Sequence, residues 1–143
     1  MSFPLAIRKN LKENEKVRDE NIARINASTG TTWDFEPDLE NLYKALKPKY
    51  QEQIGNVIYN SYLGGLATNI ENFCKDDMCK EALVEAITGK AVTMVVNGEV
   101  APSYNPVVKI ESGKLVIYVN DNSSSENFPC NAGNTGNDLM SLL

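Results

Sequence analysis

Val107-Val108-Lys109-Ile110-Glu111-Ser112-Gly113-Lys114-Leu115-Val116-Ile117-Tyr118-Val119 is the stretch whose reading decides the fold. Two β-rich runs flank Ser112-Gly113, a pair suited to a tight two-residue turn. With those residues as the turn, Glu111 faces Lys114, Ile110 faces Leu115, Lys109 faces Val116, Val108 faces Ile117 and Val107 faces Tyr118. That register gathers Val108, Ile110, Leu115 and Ile117 on one face and Val107, Lys109, Glu111, Lys114, Val116 and Tyr118 on the other. A slip of one residue would mix the two sets, so the hydrophobic pattern itself fixes the pairing. The first face is core. The second is half apolar, unlike a freely solvated antiparallel face, and is expected to be covered by another element or by a partner.

Moving toward the N-terminus, Ala91 to Val96 is a further β-rich run ending in Asn97-Gly98, a strong tight-turn signal. Before residue 90 the period is helical. Asp76 or Asp77 can cap a helix through Met78, Leu83, Val84 and Ile87, with Gly89 suited to its left-handed C-terminal position. From Tyr50 onward Ile54, Val57, Ile58, Leu66, Ile70 and Phe73 keep helical spacing, with Tyr62 on the same stripe. Gly64-Gly65 interrupts this stripe, so either another element packs closely there or the helix bends. In Trp33-Asp34-Phe35-Glu36-Pro37-Asp38 the acids and the proline suit the start of a helix carrying Leu39, Leu42, Tyr43 and Leu46, which Pro48 ends. Between Ile7 and Ile25 the apolar stripe is broken by Asn14 and Arg18, which suggests a weakly docked helix or an arm. Ser28 to Thr32 ends it.

Beyond Asn120 the chain is rich in Ser, Asn and Gly and carries too little apolar surface of its own to offset the entropy of ordering. The expected fold is therefore α+β, with N-terminal helices packed on one face of a small C-terminal antiparallel β-meander. The expected organisation is a helical arm over residues 1–30, an α+β core over 31–120 and a disordered polar tail over 121–143.

The 143 residues, 42% hydrophobic and 23% charged, suit one globular core. A formal charge of -5 provides no global field for nucleic acid or an anionic membrane, so neither is expected as a partner. No run approaches the roughly 20 apolar residues that span a bilayer, and the beginning turns charged before a signal-peptide core can form. A soluble, cytoplasmic protein is expected.

There is no histidine. Ser-His-Asp and Cys-His catalysis, His-bearing zinc sites and histidine-ligated haem are thereby excluded within the chain. The three cysteines, Cys74, Cys79 and Cys130, read as free thiols, and the Cys74/Cys79 spacing is not that of a redox pair. Asp34, Glu36, Asp38 and Glu40 resemble the first ligands of a calcium loop, but Leu39 stands where that loop needs glycine and Ala45 where it needs glutamate. Gly64-Gly65 and Gly133 to Gly136 lack the Lys-Ser/Thr ending of a phosphate loop. No catalytic residue, metal ligand or cofactor is assigned.

The leading expectation is a non-catalytic protein-interaction module that uses Val107, Lys109, Val116 and Tyr118. The alternative is a carrier of a small apolar, lipid-like ligand, with a cavity between helices and sheet to which Trp33 and Tyr62 contribute. A third reading, a thiol- or carboxylate-dependent enzyme, ranks below both, because no spacing singles out a reactive pair.

Overall fold

The computed structural model describes residues 3–123 and 127–143. In chain order these form α1 (Leu5–Glu13), α2 (Glu15–Thr29), β1 (Asp34–Pro37), α3 (Leu39–Ala45), a 3-10 stretch (Pro48–Gln53) and a π-helical stretch (Asn56–Tyr62). There follow α4 (Leu63–Phe73), α5 (Asp77–Ala86), β2 (Ala91–Val96), β3 (Val107–Glu111), β4 (Lys114–Val119) and two 3-10 turns, Ala132–Asn134 and Leu139–Leu142.

The chain mixes helices with a single four-stranded sheet, and the sheet is not a meander. Its order is β1-β2-β4-β3; β1 and β4 both run parallel to β2, and only β3 with β4 is antiparallel. Two local features overturn the expected topology. Residues 34–37 are a strand rather than a helix start, with Asp34 and Glu36 exposed and Phe35 turned toward Tyr59, their rings edge-on with centroids 6.2 Å apart. The alternation of acids with Phe35 and Pro37 carried this two-residue period.

The second feature is Asn97. Its side-chain Oδ1 accepts from the N–H groups of Glu99 (2.9 Å) and Val100 (3.2 Å), and its carbonyl accepts from Ala101 N–H at 2.9 Å. Asparagine can substitute for a backbone acceptor in this way. The chain therefore coils at Asn97 instead of reversing, crosses to the far edge as β3, and returns as β4 between β2 and β3. The hairpin register holds pair by pair, from Val107 with Tyr118 to Glu111 with Lys114. Its turn has φ of +52° at Ser112 and +74° at Gly113.

Helices and sheet share one core in which Ile58, Leu66 and Ile70 meet Met94, Leu115 and Ile117, all fully buried. Asp76 caps α5 by accepting from Cys79 N–H at 3.0 Å. The left-handed residue after α5 is Lys90, φ +46°, and not Gly89. Gly89 instead fits closely against the hairpin turn and donates its N–H to the Gly113 carbonyl (2.9 Å).

The N-terminal segment is two helices, parted at Asn14, and α2 does not project as an arm. Ile25 is buried, Asn21 Nδ2 donates to the Tyr59 carbonyl (2.8 Å), and Arg24 donates to Glu71 Oε1 (2.5 Å) and Thr68 Oγ1 (2.8 Å). Residues 1–2 of the expected arm lie outside the described residues.

Gly64-Gly65 marks close packing on two sides. A Cβ on Gly64 would sit 3.3 Å from Asn21 Nδ2 of α2, and one on Gly65 only 2.3 Å from the Ala132 carbonyl oxygen. That second neighbour belongs to the segment expected to lack a core. In the described residues 127–143, Phe128 and Leu139 enter the core and Thr135 is fully buried. Tyr62 Oη donates to the Cys130 carbonyl (3.0 Å) and accepts from Cys130 N–H (2.9 Å), while Asn69 Nδ2 donates to the carbonyls of Gly133 (3.0 Å) and Thr135 (2.8 Å). The segment has few apolar residues of its own; the surface it packs against is supplied by α4 and by Tyr62 of the π-helical stretch. Residues 124–126 of the expected tail lie outside the described residues.

Candidate functional site

The six residues singled out in the sequence fall in three places. Val107, Val116 and Tyr118 share the outer face of the sheet and form a small second core with Val95, Val100 and Ala101. The cover is the β2–β3 connection, pinned by Asn120 Nδ2 donating to the Ala101 carbonyl at 2.9 Å. Ala101 is fully buried, and Val116 and Tyr118 are each 8% exposed. The half-apolar face is thus covered by the chain's own loop, which explains its composition without a partner.

Trp33 and Tyr62 lie in the main core. Trp33 Nε1 donates to Thr31 Oγ1 (2.6 Å), and Tyr62 uses its hydroxyl as donor and acceptor to hold Cys130. Burial keeps the Tyr62 hydroxyl protonated, far above the usual phenol range. Beside Tyr62 a surface cleft of about 250 Å³ is lined by Tyr50, Ser61, Cys130 and Asn131 among others. The Cys74 thiol is shifted upward by burial, and Cys79 by burial and the Asp76 carboxylate, the reverse of what an activated nucleophile needs. Among the described residues no three Cys, Asp or Glu side chains are grouped to hold a metal ion, and no helix is long and apolar enough to cross a membrane.

Lys109 alone of the six is exposed, and it stands on an edge strand. The two edges of the sheet differ. At β1, Asp34 N–H donates to the Lys90 carbonyl (3.0 Å) and Asp38 N–H to the Met94 carbonyl (2.9 Å). The intervening alternation turns the backbone groups, not the side chains, of Phe35 and Pro37 to the outer edge, and Pro37 has no N–H to offer. This edge is short and blunted.

At β3 the hairpin turn decides which groups face out. In a two-residue turn with both φ positive, the flanking pair, here Glu111 and Lys114, exchanges its ladder hydrogen bonds. Val107, Lys109 and Glu111 therefore bond to β4, and the N–H and C=O groups of Val108 and Ile110 point away from it; Val108 is nonetheless buried, and of the two only Ile110 is partly exposed. On the outer face Glu111 accepts from Tyr118 Oη, 2.7 Å to each carboxylate oxygen, which raises the Tyr118 pKa. Lys109 makes no ion pair among the described residues.

Two exposed apolar side chains belong to segments beside this edge, Tyr104 (55%) and Met140 (67%). Asn105 Oδ1 accepts from Asn131 Nδ2 (2.9 Å) and Asn134 Nδ2 (3.0 Å), tying the approach to β3 to the C-terminal segment. The turn Leu139–Leu142 lies alongside β3. The sequence signal for this site was the hairpin register; what it could not supply was that β4 lies inside and β3 outside.

No family model matches the chain, and neither curated proteins nor solved structures gave a match.

Proposed function

We propose that the chain is a non-catalytic protein-interaction module that binds its partner by strand addition at the turn-proximal end of β3, around Ile110. One observation carries this reading: β3 is terminal in the sheet, with Lys109 and Glu111 exposed and the outward residue Ile110 between them partly exposed, whereas Val108 is buried. Backbone pairing at such an edge supplies affinity, and the side chains on either face supply selectivity. Exposed Lys109 and Glu111 limit indiscriminate pairing, and Tyr104 and Met140 offer apolar contact at the rim.

The space between helices and sheet, which a carrier would need open, is occupied by Leu66, Ile70, Met94 and Ile117. No observation favours the carrier, and the thiols favour an enzyme no better.

The test is amide hydrogen exchange across β3, followed by NMR in the isolated monomer and in a complex captured from native cells. Ile110 should exchange freely in the monomer and become protected in the complex, while Lys109 is protected in both. A complex that leaves Ile110 exchanging freely overturns strand addition.

A further inference from the structure

We infer that the outer face of α1 docks on the outer face of α5 in a second copy of this chain, so that the protein self-associates through two oppositely charged helices. The contact uses neither edge of the sheet and stands independently of the strand-addition reading.

Helical geometry sets both faces. In α1, Ile7 is buried and Leu11 packs against the core, which leaves Leu5, Arg8, Lys9 and Lys12 on the opposite side, all exposed. In α5, Leu83 is buried, and Asp77, Met78, Glu81 and Glu85 fall opposite it, again all exposed. The acid of α1, Glu13, and the cation of α5, Lys80, both lie off these faces. None of the six charged residues on the two faces makes an ion pair among the described residues. Each face also carries one large exposed apolar side chain, Leu5 at 58% and Met78 at 80%.

Charge complementarity selects the occupant. The chain is acidic overall, at -5, yet the outer face of α1 holds cations alone and that of α5 carboxylates alone. A docking partner for α1 needs acids at helical spacing, and the chain itself presents such a face. The match extends to position: Leu5, Arg8 and Lys12 follow one another at intervals of three and four residues, and so do Met78, Glu81 and Glu85. Laid parallel, the two helices set Leu5 beside Met78, Arg8 beside Glu81 and Lys12 beside Glu85, with Lys9 and Asp77 flanking the seam. The antiparallel arrangement loses that register and sets both apolar side chains beside charges. Charge pairs between helices fix partner and orientation in this way. Two copies of α1, or two of α5, repel, so the contact joins unlike surfaces and is heterologous.

One helix from each copy makes a small interface, which associates weakly. The measurement is sedimentation velocity on the full chain over a concentration series. The wild type should self-associate below about 1 mM at roughly 0.15 M salt, and lose this at about 1 M salt, where charges are screened within about 3 Å. R8E/K12E and E81K/E85K each set like charges across the seam and should weaken association by about tenfold or more. An equimolar mixture of the two variants should associate again, because each supplies the face the other lacks. R8E/K12E/E81K/E85K, which keeps the net charge of the wild type, should associate by itself. K44E/K114E changes net charge as much as R8E/K12E but breaks only the surface pairs with Glu40 and Glu36, and should associate like the wild type.

A wild type that stays monomeric to about 1 mM overturns the proposal. So does association that R8E/K12E leaves intact, that K44E/K114E weakens equally, or that the mixture of variants fails to restore. If the wild type is monomeric yet a foreign partner protects the Ile110 amide, the α1–α5 contact fails and strand addition stands. Self-association that protects Ile110 and ignores R8E/K12E lies at β3 and also overturns the α1–α5 contact.

Discussion

Replacing Gly65 by alanine sets two effects of opposite sign against each other, and the structure says which wins. In the interior of α4 the change should stabilise the helix by about 1 kcal/mol, because glycine has more backbone entropy to lose. Against this, the new Cβ would lie 2.3 Å from the Ala132 carbonyl oxygen and 3.1 Å from its carbon. That carbonyl is not free to retreat: it accepts from Thr135 N–H (3.1 Å) and Thr135 Oγ1 (2.6 Å). Relief requires a displacement of roughly 1 Å, since non-bonded carbon contacts are comfortable only beyond about 3.5 Å. Overpacking of this kind costs about 1–3 kcal/mol. Loss of the Asn69 bonds to the same segment adds about 1 kcal/mol each. The net expectation is a destabilisation of about 2–4 kcal/mol, with the helical gain already subtracted.

The control is its neighbour. At Gly64 the nearest atom is Asn21 Nδ2 at 3.3 Å, which need give only a few tenths of an ångström, but that amide is held by its bond to the Tyr59 carbonyl (2.8 Å), so the helical gain is largely offset and Gly64→Ala should lie within about 1 kcal/mol of neutral. Urea unfolding of both variants gives the comparison. Amide exchange of Cys130 to Leu139 then reports whether the C-terminal segment has been lifted from α4. If the segment detaches altogether, the urea m-value should also fall, because the native state already exposes Phe128 and Leu139. A Gly65→Ala protein as stable as the Gly64→Ala protein, with unchanged protection of that segment, would refute the packing argument.

The covered outer face makes a second prediction. Val116→Thr combined with Tyr118→Ser should lower stability by about 2–4 kcal/mol, measured by denaturant unfolding, because both side chains are internal to the small second core; an unchanged midpoint would mean that the face is ordinary surface. A third prediction concerns acid. The hydrogen bond from Arg24 holds the Glu71 carboxyl below its ordinary range. A carboxylate with a depressed folded-state pKa stabilises the fold fully above its unfolded value of about 4.3, and that contribution is lost as pH falls through the folded value. Glu71→Gln should therefore lose less stability than wild type between neutral pH and the acid limit. The difference should be small, since both partners are more than a third solvent-exposed. Parallel melting-temperature curves for the two proteins would overturn it.

The features read correctly from the sequence are those that neighbours along the chain decide. The β3–β4 register follows from a two-residue turn and a period-two pattern, both contained between Val107 and Val119. The cap of α5 follows from Asp76 standing three residues before the amide it accepts from. Close packing at Gly64-Gly65 was one of two readings of that pair, and the structure selects it. The strand β1 was written in the alternation around Phe35 and lost because acids before an apolar periodic run also suit a helix start.

The sequence by itself determined that helices come first and a β-hairpin later, where that hairpin turns, which of its faces is core, and that histidine chemistry is absent. Only the tertiary structure decided that β1 runs parallel to β2, that β4 is inserted between β2 and β3, and that the C-terminal segment docks on Gly65, Asn69 and Tyr62. The physical reason is the same in each case. A period or a cap is a relation between residues a few positions apart. The partner of a strand, or of a polar segment rich in asparagine, is a surface far away in sequence whose hydrogen-bonding and apolar groups exist only once the rest of the chain has folded.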